Sequence, residues 1–141
     1  MEKKTSELLL SMRSKKDYDE FFREESRHMY FETVPEYLLS MLKAKDLTKG
    51  DVIKKSGLEK GYAYQIFNGT KENPSRDKLL SLAIAMRMEL DEVTKLMKIA
   101  KLPELYIRDP RDSIIIYAIE RKYSVMETNF LLEERGKEIL Y

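Results

Sequence analysis

Apolar residues along this chain recur at spacings of three and four rather than two, which predicts helices with one buried stripe each and an all-α fold class. Start and stop signals bracket the stripes. Thr33 with Pro35 and Glu36 opens a helix that turns Tyr37, Leu38, Met41 and Leu42 inward, since a threonine cap with glutamate three residues on satisfies free N–H groups and proline is tolerated there. Thr48 caps a short helix with Val52 and Ile53 inside, Gly57 supplies a sharp turn, and Leu58 fills the corner. The next helix begins near Glu59 and buries Ala63, Ile66 and Phe67, so Lys60, Gly61, Tyr64, Gln65 and Asn68 share its outward face. Ser75 caps a helix with the stripe Leu79, Leu80, Leu82, Ala83 and Met86. Asp109, Pro110 and Asp112 open another that carries Ile114, Ile115, Ala118 and Ile119. Ser124 and Glu127 form a capping box ahead of Phe130, Leu131 and Leu132, and Gly136 ends that helix. Leu8, Leu9 and Met12, then Tyr18, Phe21 and Phe22, predict two short N-terminal helices rather than a disordered arm. Only Ile114 to Tyr117 is locally strand-like.

Sliding the chain along itself by about 35 residues brings Arg76-Asp77 onto Arg111-Asp112, Leu79-Leu80 onto Ile114-Ile115, Ala83-Ile84 onto Ala118-Ile119, Glu92 onto Glu127, and Leu96-Met97 onto Leu131-Leu132. Two related helical hairpins follow from this. Two copies are too few for a solenoid, so the second hairpin is expected to pack beside the first.

At 141 residues with 43% hydrophobic content, the chain has enough apolar surface for one compact domain with an appendage. Cysteine is absent, which excludes disulfides and thiolate zinc ligation, and the lone His28 cannot make a metal site by itself. No uncharged apolar run approaches membrane-spanning length and no secretory signal opens the chain, so a cytoplasmic location is expected. The net charge of +1 is unevenly spread. Residues 35–101 carry 13 Lys/Arg against 9 Asp/Glu, a net of +4, while residues 1–34 and 102–141 come to −1 and −2. The positive excess therefore lies with the segment 47–73.

That segment carries a motif. L-T-K at 47 to 49, K-S-G-L at 55 to 58, Q-I-F-N-G at 65 to 69, N-P-S at 73 to 75 and the L-x-x-L-A helix from Leu79 to Ala83 together resemble the lambda-repressor/Cro-like helix-turn-helix family of bacterial and phage regulators, the XRE family. The resemblance covers residues 35–101, about half the chain. It implies a five-helix domain with helices near 35–45, 48–55, 59–68, 76–86 and 90–101. The residue pattern and the repeat add an N-terminal helical extension, 1–34, before it and a C-terminal helical hairpin, 102–141, after it.

The resemblance also implies a set of DNA contacts. Lys49 opens the second helix, where family members often place a glutamine against the phosphate backbone and a base edge. Lys60 and Gly61 fall where members read bases in the major groove. Gln65, one turn on, has the amide geometry to engage adenine N6 and N7. Asn68, Thr70 and Lys71 fall where the family touches phosphates. Tyr62 matches an aromatic position that packs as much as it contacts DNA, and Tyr64 sits on the exposed face. Three departures stand out. Gly61 offers no side chain to a base, Glu59 puts a negative charge near the groove unless the helix dipole holds it, and Glu89 replaces a usual serine and is expected to weaken the following cap.

Ordinary chemistry accounts for the rest. Tyr37, Tyr62 and Tyr64 at helical spacing are expected to wedge a small core rather than stack on single strands, and Met86, Met88 and Met97 to fill gaps in it. There is no Gly-rich phosphate loop, no locally paired nucleophile and no metal cluster, so neither an enzyme nor a cofactor is expected. The expectation is a sequence-specific regulator that binds double-stranded DNA as a homodimer, because one recognition helix reads few base pairs and two half-sites about 34 Å apart multiply specificity. Residues 102–141, through Ile114, Ile115, Ile119, Phe130 and Leu131, are the candidate surface for dimerisation or a protein partner. The alternative is a protein-interaction adaptor or antitoxin-type partner on the same scaffold, with DNA contact secondary or lost.

Overall fold

Every described element is helical in the computed structural model, which describes residues 3–26, 29 and 32–141. His28 lies outside the described residues. The chain divides into two compact units, Met1–Phe31 and Glu32–Tyr141. In the first, α1 (Thr5–Ser14) and α2 (Tyr18–Glu25) form a small helical pair. The Asp17 carboxylate accepts from the Glu20 N–H at 2.9 Å to cap α2, and the buried Glu25 carboxylate holds the Lys3 ammonium at 2.7 Å.

The second unit contains α3 (Val34–Ala44), α4 (Lys49–Ser56), α5 (Lys60–Asn68), α6 (Arg76–Ala85), α7 (Leu90–Ala100), α8 (Pro110–Glu120) and α9 (Val125–Glu134). The caps fall on the residues the sequence marks for them. Thr33, Thr48, Ser75, Asp109 and Ser124 each accept an N–H three residues on. Glu89 makes no side-chain cap bond to the first turn of α7, in keeping with the weaker cap expected there. The Glu92 carboxylate accepts the Glu89 N–H at 2.8 Å, and the Glu89 carboxylate holds Lys122 at 2.6 Å. The segment Ile114 to Tyr117 is helical, inside α8, because both of its flanks carry helix signals and its apolar residues pack at helical spacing.

Helix α6 is the centre of the unit, with Leu79, Leu80, Ser81, Leu82, Ala83 and Ile84 all buried. It meets α4 and α7 on one side and α9 on another, while α3 packs on α5 and α7, and α8 packs on α7 and α9. Ile115, Ile119, Val125 and Leu132 of the last two helices join the same core as Leu38, Ile53, Phe67 and Met97.

The 35-residue repeat is a structural one. Arg76 grips Asp112 with two bonds of 2.9 and 2.8 Å, and Arg111 grips Asp77 with two of 3.1 and 3.0 Å. Arg87 donates to the Lys122 carbonyl and Lys122 to the Arg87 carbonyl, both at 3.3 Å, and the two residues share a left-handed backbone with φ of 54° and 57°. Contacts exchanged in this reciprocal way are what a two-fold produces, so α6–α7 and α8–α9 are pseudo-two-fold mates.

Candidate nucleic-acid interface

The corner between α4 and α5 is built from the K-S-G-L sequence. Buried Ser56 donates its hydroxyl to the Ile53 carbonyl at 2.7 Å and accepts the Leu58 N–H at 3.2 Å, so the hydroxyl bridges the end of one helix and the start of the linker. Gly57 sits between them at φ 75°, a region that costs any residue with a Cβ, and the ring of Tyr141 lies directly over its Cα. Leu58 is buried as expected.

Helix α5 opens on a carboxylate. Glu59 accepts from the N–H groups of Gly61 at 2.9 Å and Tyr62 at 2.7 Å, and these two bonds hold its carboxyl below the usual range. Its charge is thus spent on the helix N-terminus, where the dipole favours it. At Gly61 a Cβ would stand 3.2 Å from the Glu59 Oε1, so a side chain there would shift the capping carboxylate slightly.

Ala63, Ile66 and Phe67 are buried, which fixes the rotation of α5 about its axis. Lys60, Gly61, Tyr64, Gln65 and Asn68 are exposed together on the opposite side. Beyond Gly69, at φ 83°, the loop folds back so that the Lys71 N–H reaches the Gln65 carbonyl at 3.0 Å and the Thr70 N–H reaches the Asn68 Oδ1 at 2.8 Å. Asn68 therefore shapes the loop with its carbonyl oxygen, while Thr70 and Lys71 stay exposed. Tyr62 is half-buried against the core, and its ring carries the Lys71 ammonium 5.4 Å and the Lys78 ammonium 4.9 Å from its centroid. Lys49, the first residue of α4, is half-buried with its ammonium 5.6 Å from the Phe67 ring.

The structure adds two cations to the expected set. Lys54 joins Gly50, Gly57, Lys60 and Tyr64 around a depression of about 430 Å³ between α4 and α5. Lys78, from the first turn of α6, reaches Tyr62 from a position 16 residues away in sequence, a proximity that no local pattern encodes. Among the described residues, Lys49, Lys54, Lys60, Lys71 and Lys78 form no ion pair with a carboxylate, as is also true of Lys43, Lys55, Lys101 and Lys137, while Lys45, Lys95, Lys98 and Lys122 each hold one, at 2.9, 3.3, 3.9 and 2.6 Å. Among the described residues, no helix is long and apolar enough to cross a membrane. Comparisons with protein-family models, with curated proteins and with solved structures gave no match.

Proposed function

We propose that this chain is a sequence-specific double-stranded DNA-binding regulator of the lambda-repressor-like type, with α5 as its recognition helix. The observation that carries the reading is the pairing of an open, donor-rich helix face with a ring of lysines that no carboxylate neutralises. A B-form major groove admits one α-helix, and its base edges are read by side chains such as those of Lys60 and Gln65. Lys60 suits a guanine edge and Gln65 an adenine edge, while Gly61 leaves its base to close backbone approach. Lys49, Lys71 and Lys78, with the added Lys54, suit the phosphates on either side, and Asn68 and Thr70 set the loop that presents Lys71. Tyr62 acts mainly as the platform that holds two of these ammonium groups. The protein would act in the cytoplasm, as a homodimer, by occupying an operator.

An adaptor or antitoxin-type role is the second reading. It is favoured by the exposed apolar side chains of Tyr117, Met126 and Phe130 on α8 and α9, which serve no purpose in reading DNA. Salt dependence separates the two. A DNA reader loses affinity with a slope of about −0.9 per phosphate neutralised when log K is plotted against log salt, and selection from a random duplex pool returns a defined site. Binding too weak to show a slope, on any duplex in the pool, refutes the regulator.

A further inference from the structure

The 35-residue repeat runs past the helices into the segments that follow them. Arg76 donates to the carbonyls of Pro103 and Glu104 at 3.0 and 3.1 Å, and Arg111 donates to those of Glu138 and Ile139 at 3.0 and 3.3 Å, the same two positions 35 residues on. A leucine and a tyrosine come next in both copies. Leu105 packs against the core and Tyr106 is 58% exposed, and in the second copy Leu140 is buried and Tyr141 is 49% exposed. The first copy leads into α8. The second reaches the α4–α5 corner, where its tyrosine lies over Gly57.

Segment 137–141 is anchored residue by residue. Its carbonyls at 138 and 139 are gripped by a guanidinium that also binds Asp77 of α6, the Leu140 N–H donates to the Asn129 Oδ1 of α9 at 2.8 Å, and the Leu140 side chain lies in the core. A ring carried by such a backbone is a fixed wall. What it stands against is the residue about which the corner turns, since Gly57 has no side chain, holds φ at 75° and separates α4 from α5. Leu58 packs into the core beside it, and Tyr141 covers the glycine itself. Lys60 and Gly61 follow within four residues, so a swing about Gly57 displaces the first turn of α5. Base-edge hydrogen bonds are directional and fail first under such a shift, whereas lysines on long stems still reach phosphates.

We infer that segment 137–141 is a strap that fixes the α4–α5 corner, with Tyr141 as a positioning residue for base reading by α5. The inference rests on the DNA-binding reading, and one arm of its test needs no DNA. In the full chain, Tyr141→Ala should speed hydrogen exchange at least about tenfold at the Leu58, Gly61 and Tyr62 amides, which are bonded to Ser56 and Glu59 within the corner, and leave the α7 amides unchanged. In the second arm, fluorescence anisotropy measures affinity for the duplex selected from a random pool and for a scrambled duplex. Tyr141→Ala should weaken the first at least about tenfold, the worth of one base contact, and the second less than about twofold. Tyr141→Phe, which keeps the ring, should match the unaltered chain in both arms. Exchange that is unchanged, or faster to the same extent in α7, overturns the strap, and so does a Tyr141→Phe that behaves as Tyr141→Ala. A ratio of selected to scrambled affinity that Tyr141→Ala leaves unaltered overturns the positioning role. Should no duplex bind at all, the DNA-binding reading falls, and the exchange rates still decide whether the strap holds the corner.

Discussion

Replacing Arg76 and Arg111 in turn by alanine is a matched experiment that the repeat sets up. The two arginine side chains are 21% and 22% exposed, both bind their aspartates bidentately at 2.8 to 3.1 Å, and each also donates to two backbone carbonyls, of Pro103 and Glu104 for Arg76 and of Glu138 and Ile139 for Arg111. What differs is the acid. The Asp112 side chain is 9% exposed and that of Asp77 is 35% exposed. Arg76→Ala strands a carboxylate that water hardly reaches, which costs about 3 kcal/mol or more. The Tyr106 N–H, donated to Asp112 at 3.0 Å, offsets only part of it. Arg111→Ala leaves Asp77 able to hydrate, so its ionic loss is about 1 kcal/mol or less. The lost carbonyl contacts add about 1 kcal/mol to each and cancel in the comparison. Urea unfolding at neutral pH should therefore place Arg76→Ala below Arg111→Ala in stability by about 2 kcal/mol. A double-mutant cycle with the aspartates should assign that gap to the pair energies. Equal losses, or a larger one for Arg111, would refute the claim that burial of the acid sets the strength of these clamps.

Asp112 also predicts an acid limb. Burial pushes its carboxyl up, but the bonds from Arg76 and the Tyr106 N–H, with the nearby Arg111 charge, outweigh this and leave it lowered. A lowered folded value means stability that is complete above the unfolded value of about 3.9 and lost as pH falls through the folded one, so Asp112→Asn should lower stability at pH 7 and flatten its fall in acid; an unchanged acid limb counts against this. Gly57→Ala should cost about 1 to 2 kcal/mol from backbone strain alone, with a further loss from collision with the Tyr141 ring. Removing the ring in Gly57→Ala/Tyr141→Ala should recover the second part only, as read by thermal denaturation of the four proteins. Lys78→Ala should reduce the magnitude of the salt slope for duplex binding by about 0.9 without changing the preferred sequence. Lys60→Ala and Gln65→Ala should instead relax preference at one base pair each by about 1 to 3 kcal/mol, measured by gel shift on singly substituted duplexes, and uniform weakening on all of them would reassign these residues to phosphates.

The sequence by itself determined the helices, their caps and which side of α5 faces water, because these follow from interactions within one or two turns. Thr48, Ser75, Asp109 and Ser124 act on N–H groups three residues away, and Ala63, Ile66 and Phe67 orient α5 through spacing alone. It also held the 35-residue repeat, since Arg-Asp recurs at a fixed interval. Only the tertiary structure decided how those pairs connect. Nothing local says that Arg76 binds Asp112 and not its neighbour Asp77, that Lys78 shares a tyrosine ring with Lys71, or that Glu89 pairs with Lys122. The same holds for residues 102–141, where Ile115 and Ile119 have the apolar pattern of a partner surface yet are buried in the chain's own core, and the face left open is the one lined by Tyr117, Tyr123 and Leu131. Periodicity tells that a residue must be covered. What covers it depends on contacts dozens of residues apart, which a helical repeat of 3.6 does not encode.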